Sequence, residues 1–115
     1  LVALTSFTSS AYRAYEIAAV YKKANIPVVM GGIHASMVPK EAIQYVDVVG
    51  VGEAESYWKN VISDFEKGRL KPFYYGERLP MDKMPFARHD LFHKSYTIDS
   101  IQTTRGCPFN CSFCS

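Results

Sequence analysis

Cysteine is scarce in this sequence: the 115 residues hold three, all within the last nine positions. An odd number packed that tightly cannot build a disulfide framework, which excludes a small secreted scaffold. Long apolar runs are missing too, and nothing approaches the ~18 residues needed to span a bilayer. Charge of one sign is not in excess, with 13 Lys+Arg against 11 Asp+Glu for a net +2. The two signs are interleaved, so no polybasic surface for nucleic acid or membrane stands out. No charged-then-apolar leader ends in a small-residue cleavage site. At 48% hydrophobic and 21% charged residues, the composition is that of a globular domain. These absences predict a soluble, cytoplasmic protein. The sequence opens without Met on an apolar run and stops one residue past its last cysteine, which reads as an internal piece of a longer polypeptide.

What is present begins as a repeated rhythm of apolar run, small-residue loop and amphipathic helix. Leu1–Leu4 leads into Thr5-Ser6-Phe7-Thr8-Ser9-Ser10, where Ser9 or Ser10 can cap a helix. Ala14, Ile17, Ala18 and Tyr21 follow at helical spacing, and Asn25 and Pro27 stop that helix. Val28-Val29-Met30 ends in the loop Gly31-Gly32-Ile33-His34-Ala35-Ser36. Pro39 suits the first turn of a short helix carrying Ala42, Ile43 and Val46. Val48-Val49-Gly50-Val51 ends in Gly52-Glu53-Ala54-Glu55, and the next helix aligns Trp58, Val61, Ile62 and Phe65 before Gly68. Continuous apolar runs between helices predict parallel strands buried on both faces, joined by right-handed crossovers. The expected fold is α/β, a Rossmann-like sheet over residues 1–68. A proline-punctuated, aromatic-rich linker follows over 69–97. A last alternating strand, Ile98–Thr104, leads to the cysteines.

Chemistry concentrates in Cys107-Pro108-Phe109-Asn110-Cys111-Ser112-Phe113-Cys114. Thiolates are soft ligands that select zinc, copper(I) or iron–sulfur clusters. A structural zinc site closes with four ligands, and here the fourth is missing. Three thiolates instead suit three corners of a 4Fe–4S cube, with one iron left open to a small molecule. Incidental thiols and a zinc site are the alternatives. His89 and His93 stand at i and i+4, but Asp90 replaces the Glu of the metalloprotease pattern and no third ligand is evident.

The Cys-x3-Cys-x-aromatic-Cys spacing after Thr104-Arg105-Gly106 resembles the signature of radical S-adenosylmethionine (radical SAM) enzymes. The resemblance implies that Cys107, Cys111 and Cys114 hold a 4Fe–4S cluster, with Phe113 beside the SAM adenine. It also implies that the strand before them opens a β/α barrel, residues 98–115 being the start of the radical SAM domain. In that family one electron cleaves the SAM sulfonium to a 5′-deoxyadenosyl radical. Gly31-Gly32-Ile33-His34 with Pro39-Lys40-Glu41, and Val46–Glu53, are similar to the cobalamin-binding domain that precedes many radical SAM domains. Open α/β sheets bind ligands at the carboxyl ends of their strands. The cobalamin-side residues are therefore Thr5, Ser6, Gly31, Gly32, Gly50, Gly52 and Glu53. Each loop also has a plain reading: glycine makes a turn, Ser or Thr caps a helix, and Glu53 or Glu55 favours a helix N-terminus. His34 lies outside the loop that carries the cobalt-ligating His of related corrinoid proteins and is not read as that ligand. Arg105 offsets charge near the cluster or is a plain surface arginine.

The implied parent is an enzyme with a 4Fe–4S cluster, SAM and cobalamin as cofactors, and a small-molecule substrate and an electron donor as partners. Its chemistry is methyl transfer, cyclisation or rearrangement. The alternative is a corrinoid- or nucleotide-binding carrier module with a non-catalytic metal site. Alone, this piece is expected to have no turnover, because a cluster needs a shaped shell around its thiolates.

Overall fold

The computed structural model describes residues 1–93, 95, 97–98, 101–109 and 111–112. The chain divides at Arg78 into two units. The first carries a four-stranded sheet in the order β1-β2-β3-β4, formed by Val2–Thr5, Val28–Gly31, Val48–Val51 and Phe73–Tyr75. Every pairing is parallel, with Thr5 opposite Gly31 and Gly50 opposite Tyr74. Four helices connect the strands: α1 (Ala11–Lys23), α2 (Ile33–Met37), α3 (Pro39–Ala42) and α4 (Ala54–Glu66). This is the expected α/β, Rossmann-like architecture.

Strand alternation sorts the core into two layers. Val28, Met30 and Val49 pack with Ala11, Ala14, Tyr15 and Ala18 of α1, Ala35 of α2 and Ala42 of α3. Val29, Val48 and Tyr74 pack on the other face with Tyr57 and Val61 of α4. Small alanines let α1 lie close to the sheet, while α4 fills its layer with one large aromatic. All three crossovers step the same way across the sheet, yet α4 lies on the opposite face from the helices before it. Its crossover therefore has the opposite hand, and uniform right-handedness does not hold. Without α4 there, the apolar side chains Val29 and Val48 would face water.

Several expectations change in detail. The stretch expected as linker from residue 69 supplies β4, because Phe73 and Tyr74 reach both core layers while their backbone extends the ladder to β3. The expected loop at 33–36 is helical in α2. Ser10 stands at the N-cap of α1 but makes no cap bond; its hydroxyl donates to the Phe7 carbonyl at 3.2 Å. On α1 the buried face is Ala11, Ala14, Tyr15 and Ala18, while Tyr21 is exposed. Phe65 of α4 is also exposed, and Tyr57 takes the core position. Asn25, in the left-handed region at φ 57°, follows the end of α1 as expected.

The second unit begins at Leu79 and contains two short 3-10 turns, Met81–Lys83 and His89–Leu91. The described residues of the expected strand, Ile98 and 101–104, are not in a strand. An alternating strand gains its stability from a hydrogen-bonded neighbour, and none pairs with it among the described residues. Among the described residues no helix is long and apolar enough to cross a membrane.

Candidate functional site

The carboxyl ends of the strands bring together the three small-residue loops. Thr5 closes β1 with its side chain exposed, directly opposite Gly31. The next residue turns inward: Ser6 is 6% exposed, its amide donates to the Gly31 carbonyl at 3.4 Å, and its carbonyl accepts the His34 amide at 3.2 Å. Its hydroxyl is buried and has no hydrogen-bond partner among the described residues. Gly32 has φ 91°, and a Cβ there would stand 2.5 Å from Thr5 Oγ1 and 3.1 Å from the Ser6 nitrogen. Only glycine permits both that backbone and that approach, so the first two loops interlock.

The third loop closes on the fourth strand. Gly52 has φ 80°, and a Cβ there would lie 2.7 Å from the Gly76 carbonyl. Its amide donates to Ser36 Oγ at 3.0 Å, tying this loop to α2. Glu53 occupies the N-cap position of α4 in extended backbone, and its carbonyl accepts the Ser56 hydroxyl at 3.0 Å. Gly50 is different from its neighbours. A Cβ there would run into the ring and hydroxyl of Tyr57, so this glycine makes room for a core aromatic.

Behind the Gly32 loop lies a polar cluster not foreseen in the sequence. His34 is buried, with Nε2 2.7 Å from the Tyr15 hydroxyl and Nδ1 3.4 Å from Thr8 Oγ1. The Tyr15 hydroxyl donates to Glu41 Oε1 at 3.1 Å. Burial and then the Glu41 carboxylate push the Tyr15 phenol up to about 12. With both ring nitrogens engaged inside the fold, His34 is structural.

In the second unit, Cys107 and Cys111 are exposed free thiols, while Cys114 and Phe113 lie outside the described residues. Arg105 donates through Nε to Gln102 Oε1 at 3.0 Å. His89 and His93 do not share a helix face: His89 starts a 3-10 turn, and the His93 ring meets Ser95 at 2.7 Å. Among the described residues no three metal-ligating side chains are gathered.

No protein-family model matches the chain. Curated relatives do. The chain is 41% identical over 99% of its length to bacteriochlorophyllide d C-8(2)-methyltransferase of Chlorobaculum tepidum. It is 36% identical over 100% of its length to the C-12(1)-methyltransferase of the same organism. An uncharacterized methyltransferase of Pyrococcus horikoshii is 32% identical, again across the whole chain. These matches run through both the glycine loops and the cysteine loop. The chain belongs to the cobalamin-domain radical SAM family.

It spans 27% of the length of the two Chlorobaculum relatives. The fold has a solved counterpart in the N-terminal domain of a hypothetical protein from Thermotoga maritima, at TM-score 0.54 and 24% identity. That match covers 65% of this chain and 60% of the other. Sequence reasoning missed Tyr57, Ser36, Gly76 and the Tyr15–His34–Glu41 cluster. The signal available for Tyr57 was a pair of glycines on facing strands, which calls for one large side chain above them.

Proposed function

We propose that the intact protein is a radical SAM methyltransferase that uses a 4Fe–4S cluster, SAM and a corrinoid. The observation that carries this reading is the 41% identity to a methyltransferase over 99% of the chain, taking in the strand edge and the cysteine loop together.

The residues present fit both groups. For the cluster, the donor set is soft, and the two described cysteines are exposed free thiols that iron can reach. Cys107, Cys111 and Cys114 would hold it, with Phe113 on the adenine side of SAM. For the corrinoid, the fit lies in the interlocked edge of β1 and β2. Ser6 offers a buried hydroxyl with no protein partner among the described residues, and Gly31 and Gly32 keep the neighbouring backbone bare. Thr5, Ser6, Gly31 and Gly32 would bind the ligand directly, and Gly52 and Glu53 would shape the far side of the same edge. When bound, the cluster supplies the electron for reductive SAM cleavage and the corrinoid supplies a methyl carrier.

The thiolates' part is to hold iron while leaving one metal corner free for the amino and carboxylate groups of SAM. The part of the strand edge is to orient a flat macrocycle by close backbone contact. The acceptor is a carbon of a small-molecule substrate, tested first with a bacteriochlorophyllide-type tetrapyrrole, the class named in two of the relatives. An electron donor is required, and the reducing cytoplasm suits such thiolates.

The test is anaerobic iron–sulfide reconstitution of the intact protein, then incubation with reductant, SAM and hydroxocobalamin. The expected results are 5′-deoxyadenosine formation and transfer of label from methyl-labelled SAM to the tetrapyrrole. A fully loaded cluster that yields neither product rejects the enzyme and leaves a carrier module.

A further inference from the structure

At the carboxyl edge of the sheet, large apolar side chains stand in water. Phe7 is 64% exposed, Ile33 45% and Met37 62%. Ile33 and Met37 open and close α2 and share one helix face, being a turn apart. Between them His34 and Ala35 are buried. Two hydrogen bonds lay this helix along the edge. At its start the His34 amide donates to the Ser6 carbonyl at 3.2 Å, and near its end Ser36 Oγ accepts the Gly52 amide at 3.0 Å. α2 therefore runs from the loop after β1 to the loop after β3. The first bond joins the Ser6–Phe7 peptide to the Ile33–His34 peptide, so Phe7 and Ile33 flank one backbone hydrogen bond. Ser6 and His34 turn inward there, and Phe7 and Ile33 turn outward.

Single exposed apolar residues need no explanation, but a group of them at the end where open α/β sheets bind ligands does. Phe7, Ile33 and Met37 belong to neither core layer, so packing within the fold does not call for them. Beside Phe7, the Ser6 hydroxyl is buried, on a residue 6% exposed, and has no partner among the described residues. Such an oxygen is normally paired. One short stretch of edge thus holds an unpaired polar atom, bare glycine backbone and an outward apolar rim. A corrinoid has matching parts: amide arms that form hydrogen bonds, and a broad ring bordered by methyl groups. A protein surface could cover the rim equally well, but the unpaired oxygen favours a ligand with polar arms.

We propose that Phe7, Ile33 and Met37 form the apolar rim of the corrinoid site and hold the methyl-bearing border of the macrocycle. Ser6 meets a polar arm of the same ligand. This inference rests on the corrinoid reading above and deepens it. The glycine loops contribute backbone to the site, whereas α2 and the residue after Ser6 contribute side chains. The rim grips the ring and not the nucleotide tail.

The experiment titrates the intact protein and its Phe7→Ala and Met37→Ala variants, following visible absorbance. The probes are hydroxocobalamin and cobinamide, which keeps the ring and lacks the nucleotide tail. Thermal unfolding is recorded without ligand. Phe7→Ala should bind both probes about tenfold more weakly, through lost apolar burial, and Phe7→Leu should recover most of that loss. Met37→Ala should weaken both several-fold. Unfolding temperatures should not move, because these side chains stand in water. Undiminished affinity overturns the rim and leaves the corrinoid reading standing. A loss confined to hydroxocobalamin places the contact on the tail and overturns it too. A lower unfolding temperature without ligand, whatever the affinity, means that another part of the polypeptide covers these side chains, and overturns it. Failure of the parent protein to bind either probe overturns the corrinoid reading itself, and this inference with it.

Discussion

The hydroxyl of Tyr15 stands 2.7 Å from Nε2 of His34, and this contact joins α1 to the helix that follows the Gly31-Gly32 turn. Tyr15 has one proton and gives it to Glu41, so its oxygen accepts from Nε2–H of His34. In the neutral ring Nδ1 is then left to accept from Thr8 Oγ1, 3.4 Å away. One chain of bonds thus runs from the loop after β1 through α2 and α1 to α3. It fixes the loops after β1 and β2 from behind.

That chain makes an alkaline prediction. The folded state holds the Tyr15 phenol at about 12 against an ordinary 10.0. A group with a raised folded pKa contributes stability that is complete below its unfolded value and lost as pH climbs through the folded one. Unfolding free energy should therefore fall between pH 10 and 12, and Tyr15→Phe should flatten that fall. At pH 7 the variant should be about 1–2 kcal/mol less stable, because His34 Nε2 and Glu41 lose their shared partner. Denaturant titrations at pH 7, 10 and 12 check both statements. An unchanged alkaline slope in the variant would show that other groups cause it.

The acid side depends on Asp64. Its Oδ2 accepts from the Tyr74 hydroxyl at 2.9 Å and its Oδ1 from Arg69 Nε at 3.0 Å, linking the end of α4 to β4. The Tyr74 hydrogen bond, and then Arg69, hold the carboxyl below its ordinary 3.8. For a depressed carboxylate the sign is reversed. Its contribution is present above the unfolded value and disappears as pH falls through the folded one. Asp64→Asn should lower stability at neutral pH and remove part of the acid loss below about pH 4. Parallel acid unfolding curves for the two proteins would contradict this.

Much of the sheet was legible because its signals are local. Val28–Met30 and Val48–Val51 are apolar runs with no polar alternation, which suits strands covered on both faces. The β4 strand was hidden because three residues, Phe73, Tyr74 and Tyr75, between a proline and a glycine carry no period to read. Its existence depends on β3 lying alongside, a tertiary fact. The same holds for Gly50, whose purpose appears only once Tyr57 arrives from α4. The Cys-x3-Cys-x2-Cys spacing needs no fold to be read, because the spacing of residues within one loop is written in the sequence itself. The hand of the last crossover does need one, since it follows from which face α4 must cover.

Glycine substitutions separate packing from backbone strain. Gly50→Ala should cost about 1–3 kcal/mol, because the new methyl meets the Tyr57 ring. Gly68 has φ 64° and nothing within 4 Å, so Gly68→Ala should cost only the left-handed backbone penalty of about 1–2 kcal/mol. In a Tyr57→Ala background the Gly50→Ala cost should largely vanish, whereas that of Gly68→Ala should persist. A double-mutant cycle by chemical denaturation reads the difference as a coupling energy. No coupling between positions 50 and 57 would mean the Tyr57 ring yields to the new methyl without cost.

Ser6 gives the sharpest contrast between folding and binding. Its hydroxyl is buried without a partner among the described residues, and such a group costs about 1–3 kcal/mol of lost hydration. Deleting it in Ser6→Ala should therefore leave stability unchanged or raise it, contrary to the usual effect of altering a buried polar residue. If the hydroxyl meets a corrinoid atom, the same variant should bind hydroxocobalamin several-fold more weakly. The melting curve and the absorbance titration of the intact protein decide together. A stabilised variant with undiminished binding would mark Ser6 as a site of strain with no ligand to relieve it. A destabilised one would mean that the hydroxyl has a structural partner after all.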